Sequence, residues 1–290
     1  FGGCGFLVAA RRRLAALGAS TSDRLVYGCD IDPGAFKFLV SVLGEPVDAD
    51  RFRHENFLAL TAGLDWPVLF DATIGNPPYI AFQAIEGSHR RELLQRAEQS
   101  GVKLGGRASL WAHFLIHAVS FVAPNGRMAW VLPGSFLQAD YAANVREYLG
   151  QQFGGVVCIL MHQRFFKSEG TEEETVVLLA KDRGGVPHPA GIRFVDVLDV
   201  ENLQLAIDEW ELDGSVGCAL KGRPSFLATD PAVSTLYSDI SSREQCSPLG
   251  EFLKIKIGLV TGANPFFVIN KSLAESNSLR EESLLPVLSK

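Results

Sequence analysis

The sequence predicts an α/β chain organised around a mostly parallel sheet with helices on both faces. Two observations carry that prediction. Short apolar runs alternate with amphipathic stretches of helical length from Phe6 to about Asp182, the rhythm of strands joined by crossover helices. Two of the apolar runs end in polar or proline-bearing loops, Cys29-Asp30-Ile31-Asp32-Pro33 and Gly75-Asn76-Pro77-Pro78-Tyr79, and in open sheets the carboxyl ends of the strands are where ligands bind. At 290 residues and 47% hydrophobic, the chain is long enough to bury one sizeable core and part of a second.

The elements follow in order. Leu7, Ala10, Leu14 and Leu17 recur at helical spacing after the glycine turn Gly2-Gly3-Cys4-Gly5, with Gly18 at a C-cap position. Leu25-Val26-Tyr27 is read as a short strand, and Gly34 to Leu43 as the helix that follows it. Arg51 to His54 forms another short strand, and Val68 to Ile74 a stronger one, which Pro77 and Pro78 forbid from continuing. Ser109 caps a helix that runs through Val122 and is apolar nearly all round. Pro124-Asn125-Gly126 turns into a strand from Arg127 to Leu132. Tyr141, Val145, Tyr148 and Leu149 mark a helix, and Val156 to Met161 and Thr175 to Ala180 form a closing pair of strands.

Beyond Asp182 the rhythm fades, and Gly184-Gly185-Val186-Pro187-His188-Pro189 reads as a linker. The expected organisation is a catalytic domain over 1–190, a connecting region over 191–245, and the start of a second, β-rich domain over 246–290. The chain opens inside a glycine-rich turn and closes on Leu285-Pro286-Val287-Leu288-Ser289-Lys290, so a fragment cut at both ends is expected, with its first strand missing.

Composition narrows the function. No apolar run approaches the roughly 20 residues of a membrane span, and no membrane association is expected. The five cysteines stand far apart without a C-x-x-C pair, which points away from a disulfide framework or a metal site and toward a reducing cytoplasm. A net charge of −6 is unfavourable for coating nucleic acid without specificity. One stretch runs against the acidic background: Arg90, Arg91, Arg96, Lys103 and Arg107 face only Glu92 and Glu98. Alone this is a solvated helix face; next to a nucleic-acid site it is a phosphate-binding surface, with Arg90 and Arg91 as the candidate backbone contacts.

The chemistry is concentrated in three places. Gly3-x-Gly5 opening a helix lets a backbone approach a ligand, although two glycines in a turn also occur for purely structural reasons. Asp30, at the end of the next strand, is placed to accept both hydroxyls of a ribose, or simply to cap a helix. The third place is Asn76-Pro77-Pro78-Tyr79. The Asn76 side-chain oxygen and the Pro77 carbonyl can both accept from one exocyclic NH2, held rigid by two prolines. Two aimed acceptors favour the nucleophilic geometry of an amine whose lone pair is otherwise delocalised into its ring. Tyr79 then stacks on that ring, and Phe166, with Phe165 as competitor, closes the sandwich.

Taken in sequence, Gly3-x-Gly5, Asp30-Ile31-Asp32-Pro33, Asn56-Phe57-Leu58 and Asn76-Pro77-Pro78-Tyr79-Ile80 resemble the successive motifs of N6-adenine-specific DNA methyltransferases. The match is to those whose catalytic domain precedes the target-recognition domain, as in large single-chain restriction-modification and phage-defence methyltransferases. Ser109-Leu110-Trp111, Phe121 to Arg127, Val131-Leu132-Pro133 and Phe165-Phe166 before Thr175 extend the resemblance, and Ile257 to Val268 is similar to the opening of a target-recognition domain. The resemblance implies a Rossmann-like S-adenosylmethionine-dependent methyltransferase fold. It places the methionine part of that cofactor near Gly3, Gly5 and Asn76, its ribose on Asp30, and its adenine between Ile31 and Phe57. It also implies double-stranded DNA as partner, restriction or defence-system partners, and catalysis by Asn76, Pro77 and Tyr79 with Pro78 and Phe166 on the target base. Asn56 stands where the family usually has Asp to hold the cofactor's adenine amine, and no metal is required. A protein glutamine N5-methyltransferase acting on release factors shares the Asn-Pro-Pro-Tyr chemistry and is the competing expectation. The long region after the last strands favours DNA.

Overall fold

In the computed structural model, residues 2–44, 47–161, 175–189, 191–197, 199–213, 218–219, 236–237, 239–243, 245–247, 249–253, 268–280, 282 and 284 are described. The glycine turn breaks into helix α1 (Gly5–Ala16) through Cys4, which is fully buried and left-handed at φ 63°. Next comes a 3-10 turn, Ser22–Leu25, and only then strand β1 (Gly28–Asp30). The expected strand at Leu25-Val26-Tyr27 is therefore displaced toward the C-terminus: Arg24 N–H closes the turn onto Thr21 O at 2.9 Å and Leu25 is 55% exposed. Helix α2 (Pro33–Leu43) starts with Pro at its first turn, and the Asp32 carboxylate caps Gly34 N–H at 2.8 Å, a strong start signal that was legible in the sequence.

β1 pairs in parallel with β2 (Phe52–His54), setting Asp30 beside His54. A second sheet holds β3 (Phe70–Gly75), β4 (Val122–Pro133), β5 (Phe153–Met161), β6 (Thr175–Arg183), β7 (Arg193–Val197) and β8 (Cys218–Ala219), in the order β3-β4-β6-β5-β7-β8. β3 with β4 and β5 with β7 are parallel; β6 runs antiparallel between β4 and β5. The Pro124-Asn125-Gly126 segment does not precede β4 but bulges within it: Phe70 pairs Val122 while Ala72 pairs Arg127, and Asn125 takes φ 62°.

Alternation along β5 shows how the sheet is covered. Val156 and Cys158 join a core with Trp111 and Leu115, built mainly from α4 (Leu110–Val119) and α6 (Asp140–Gln152). Val157 and Ile159 face the other way, onto Ala206 and Trp210 of α7 (Val200–Asp213). Successive strand residues point to opposite faces, so helices lie on both sides of the sheet as expected. Helix α3 (Gly87–Gln99) and the short α5 (Ser135–Gln138) complete the set before β5.

The stretch after residue 191 carries β7 and α7, where the sequence showed no clear rhythm. Lys181 fastens α7 to the sheet: its ammonium lies 4.5 Å from the Trp210 ring centre and donates to Trp210 O at 2.9 Å. By contact density the chain divides into Phe1–Ser234 and Thr235–Lys290. In the second unit a helix, Lys271–Ser276, is capped by Asn270, whose side-chain oxygen accepts from Leu273 N–H at 2.9 Å. Among the described residues no helix is long and apolar enough to cross a membrane.

Candidate functional site

β3 delivers the Asn-Pro-Pro-Tyr segment, and contacts at both ends fix it. Gly75 pairs with Trp130, and a Cβ added at Gly75 would stand 3.0 Å from the indole ring, so the strand approaches this side chain as closely as glycine allows. Pro77 is buried. Tyr79 packs against the main core and its hydroxyl donates to Val131 O at 3.3 Å. At the exit, Ile80 O accepts from Ser109 Oγ at 2.7 Å and from Leu110 N–H at 2.9 Å. Ser109 stands at the N-cap position of α4 as expected, but its hydroxyl makes this bond rather than a side-chain cap. Between these anchors Asn76 is exposed, and its side chain makes no hydrogen bond among the described residues. A rigid loop thus presents one amide to solvent.

The glycine turn and β1 meet at Asp30. Its Oδ2 accepts from Gly2 N–H at 2.9 Å and its Oδ1 from Asp32 N–H at 3.0 Å, which orients the carboxylate while each oxygen retains the geometry of a multiple acceptor. Gly3 and Gly5 would each accept a Cβ with nothing within 4 Å, and the left-handed conformations fall on Gly2 and Cys4 instead. Gly2 is a residue that the pattern reading passed over. Ile31 is 68% exposed, and its carbonyl is bonded by His54 Nε2 at 3.1 Å.

After β2, Asn56 Oδ1 accepts from Leu58 N–H at 3.1 Å and caps the 3-10 turn Phe57–Ala59. The Phe57 ring lies among Phe114, His117 and Phe121, with centroids 5.7, 5.0 and 5.2 Å away. Phe57 remains only partly buried. The register of β1 on β2 brings Asp30, Ile31, Asn56 and Phe57 to one end of that small sheet, an arrangement suited to a nucleoside: a carboxylate for vicinal hydroxyls, and two apolar side chains for a planar base. The residues present therefore fit the ribose and adenine of a nucleoside cofactor.

In the cationic segment, Arg90 is engaged within the chain. It donates to Ile85 O at 2.6 Å and Gln83 O at 2.8 Å, and lies 4.8 Å from the Phe82 ring centre. Arg91 is exposed. Phe165, Phe166 and the 257–267 part of the segment ending at Val268 lie outside the described residues. Among the described residues no cluster of three or more His, Cys, Asp or Glu is placed to hold a metal ion.

Comparison with known proteins adds the following. Residues 45–172 match the family model described as Eco57I restriction-modification methylase, and residues 224–290 match that of the C-terminal domain of Type II methyltransferase M.Eco57I. Type II methyltransferase M.AccI of Acinetobacter calcoaceticus is 24% identical over 242 residues, covering 77% of this chain and 41% of the relative. M.XamI of Xanthomonas campestris pv. amaranthicola is 23% identical over 222 residues, covering 76% and 39%. The chain thus spans about two fifths of the length of these curated relatives. Among solved structures, one of a type I restriction-modification system aligns with TM-score 0.53 at 17% identity, over 96% of this chain and 59% of that one. A class I S-adenosylmethionine-dependent methyltransferase from Listeria monocytogenes, described as putative, aligns with TM-score 0.52 at 15% identity, over 73% and 62%. These two likenesses show the Rossmann-like methyltransferase fold.

Proposed function

We propose that this chain, in which residues 45–172 resemble the Eco57I restriction-modification methylase and residues 224–290 the M.Eco57I C-terminal domain, transfers a methyl group from S-adenosylmethionine to N6 of an adenine swung out of duplex DNA. The observation that carries this reading is the exposed Asn76 amide, held between the Gly75 contact with Trp130 and the Ile80 bonds to Ser109 and Leu110. Asp30 holds the cofactor's ribose, Ile31 and Phe57 flank its adenine, Asn56 meets the adenine amine, and the turn at Gly3 and Gly5 approaches its methionine part. When bound, S-adenosylmethionine supplies an electrophilic methyl group on its sulfonium.

The protein's own task is to present the amine. N6 is paired within the duplex and its lone pair is spread into the ring, so the base must leave the stack. Asn76 Oδ1 and Pro77 O would accept the two N6 hydrogens and hold the nitrogen pyramidal, a preorganised electrostatic effect. As its bond to the methyl carbon forms, the carbon–sulfur bond breaks to leave S-adenosylhomocysteine, one N6 hydrogen then departing to solvent as a proton. Tyr79 and Pro78 support the ring from one side, and Phe166 closes on it from the other. Arg91, exposed on the helix that follows, meets backbone phosphate, with Arg90 beside it.

The test uses the intact protein with tritiated S-adenosylmethionine and separate pools of duplex DNA, RNA and release-factor protein, alongside Asn76→Ala. The expected result is N6-methyladenine in DNA, reduced about 10²- to 10³-fold in the variant by loss of one preorganised acceptor. Because Asn76 is exposed and unbonded among the described residues, thermal stability should stay within about 0.5 kcal/mol of wild type. Label in release-factor protein instead would mean that the Asn-Pro-Pro-Tyr loop grips a glutamine amide.

A further inference from the structure

The turn after β2 is held from outside by two side chains far away in sequence. Arg96 of α3 donates to Leu58 O, and His117 in the last turn of α4 contacts Phe57 O through Nε2 at 3.1 Å. A carbonyl oxygen only accepts, so Nε2 carries the proton. The same imidazole meets the Phe57 ring edge-on, 5.0 Å between centroids at 70°. Arg96 is itself steadied by Glu92 at 2.8 Å.

These donors are not needed to form the turn. Ala59 N–H reaches Asn56 O at 2.8 Å, Leu60 N–H reaches Phe57 O at 3.1 Å, and Asn56 caps Leu58. On the Leu58 side packing is incomplete: a cavity of about 20 Å³, lined by Leu58, Arg96, Ser100, His113 and His117 among others, lies against the turn. That is room for roughly one water molecule. The two long-range bonds fix where the turn stands, and together with the ring contacts to Phe114 and Phe121 they set the direction of the Phe57 ring.

We infer that His117 and Arg96 are positioning residues for cofactor binding, acting through Phe57. The inference rests on the reading above, in which Phe57 flanks the adenine of S-adenosylmethionine. A ring held in one place by two hydrogen bonds loses less freedom when the adenine docks, so the effect falls on affinity and not on the chemical step.

The test compares wild type, His117→Leu and His117→Gln in the intact protein, by calorimetric titration with S-adenosylhomocysteine and by steady-state methyl transfer at varied S-adenosylmethionine. His117→Leu should weaken Kd and raise KM roughly tenfold, the effect of one lost hydrogen bond. At saturating cofactor its kcat should stay within about twofold of wild type. The Gln amide can donate to Phe57 O and should restore most of the affinity. Unchanged Kd in His117→Leu, or a fall in kcat with no change in KM that Gln fails to rescue, would overturn the inference while leaving the proposed activity standing. A wild type that binds neither ligand would remove the proposed activity, and this inference with it.

Discussion

The backbone N–H of Gly2 donates to Asp30 Oδ2 across 2.9 Å, joining the turn before α1 to the end of β1. With Asp32 N–H on Oδ1 at 3.0 Å, the carboxylate receives a donor on each oxygen. Asp30→Asn replaces one acceptor with an NH2 that faces a backbone N–H, so it both repels the turn and loses a ribose contact. The expected loss of S-adenosylmethionine affinity is about 1–3 kcal/mol, read by titration calorimetry, with unchanged circular dichroism. Affinity equal to wild type would detach Asp30 from the cofactor.

Gly75 offers a test of how the catalytic loop is held. A methyl group there would meet the Trp130 ring at 3.0 Å, against rigid indole carbons rather than a flexible chain end. Gly75→Ala should therefore cost about 1–3 kcal/mol of stability, measured by urea denaturation. Trp130→Phe makes room, so Gly75→Ala should cost less on that background. Equal costs on both backgrounds would show that the contact is not what limits the position.

Much of this frame was legible beforehand. The run Val68 to Ile74 stopped by two prolines located β3 and put Asn76 just beyond its end, because an apolar strand and a proline break are local signals. Asp32-Pro33-Gly34 likewise announced α2. Gly2, Arg96 and His117 were not legible, since their partners stand 28, 38 and 60 residues away and nothing local marks a hydrogen bond to a distant carbonyl. The α7 helix did leave a sign that was passed over: Leu203, Ala206, Ile207 and Trp210 recur at helical spacing and pack on the core of the sheet's second face. Leu205 and Leu212, apolar yet exposed on the other face, blurred that period.

Arg90 and Arg91 are adjacent but should behave differently. Charge reversal at Arg91, which is exposed, is expected to weaken DNA binding to a similar degree for all sequences and to reduce the salt slope by about one unit. Arg90→Glu also removes the bonds to Ile85 O and Gln83 O and the contact with Phe82, so it should lower thermal stability as well. Filter binding across a salt series, with melting curves for both variants, separates the two effects. Unchanged DNA affinity in Arg91→Glu would mark this face as merely solvated.

Acid should destabilise the fold through His113. The side chain is only 4% exposed, and burial pushes its pKa down from 6.5 to about 4, against a hydrogen bond to the Leu93 backbone that favours the proton. Among the described residues its Nε2 is buried without a hydrogen-bond partner. His117 shifts in the same direction, through burial and then the Arg96 charge. Unfolding restores the ordinary affinity for protons, so between pH 6.5 and about 4 the unfolded chain binds more of them and stability falls as the pH drops. Above pH 6.5 the contribution is complete; below about 4 it is gone. The swing is on the order of 3 kcal/mol. Carboxylates also titrate near the bottom of this window, so the informative quantity is the difference between wild type and His113→Leu at each pH. Melting temperature should decline less steeply in the variant across this range. Identical slopes would mean that His113 takes up no proton on unfolding, and that the acid sensitivity of the chain arises elsewhere.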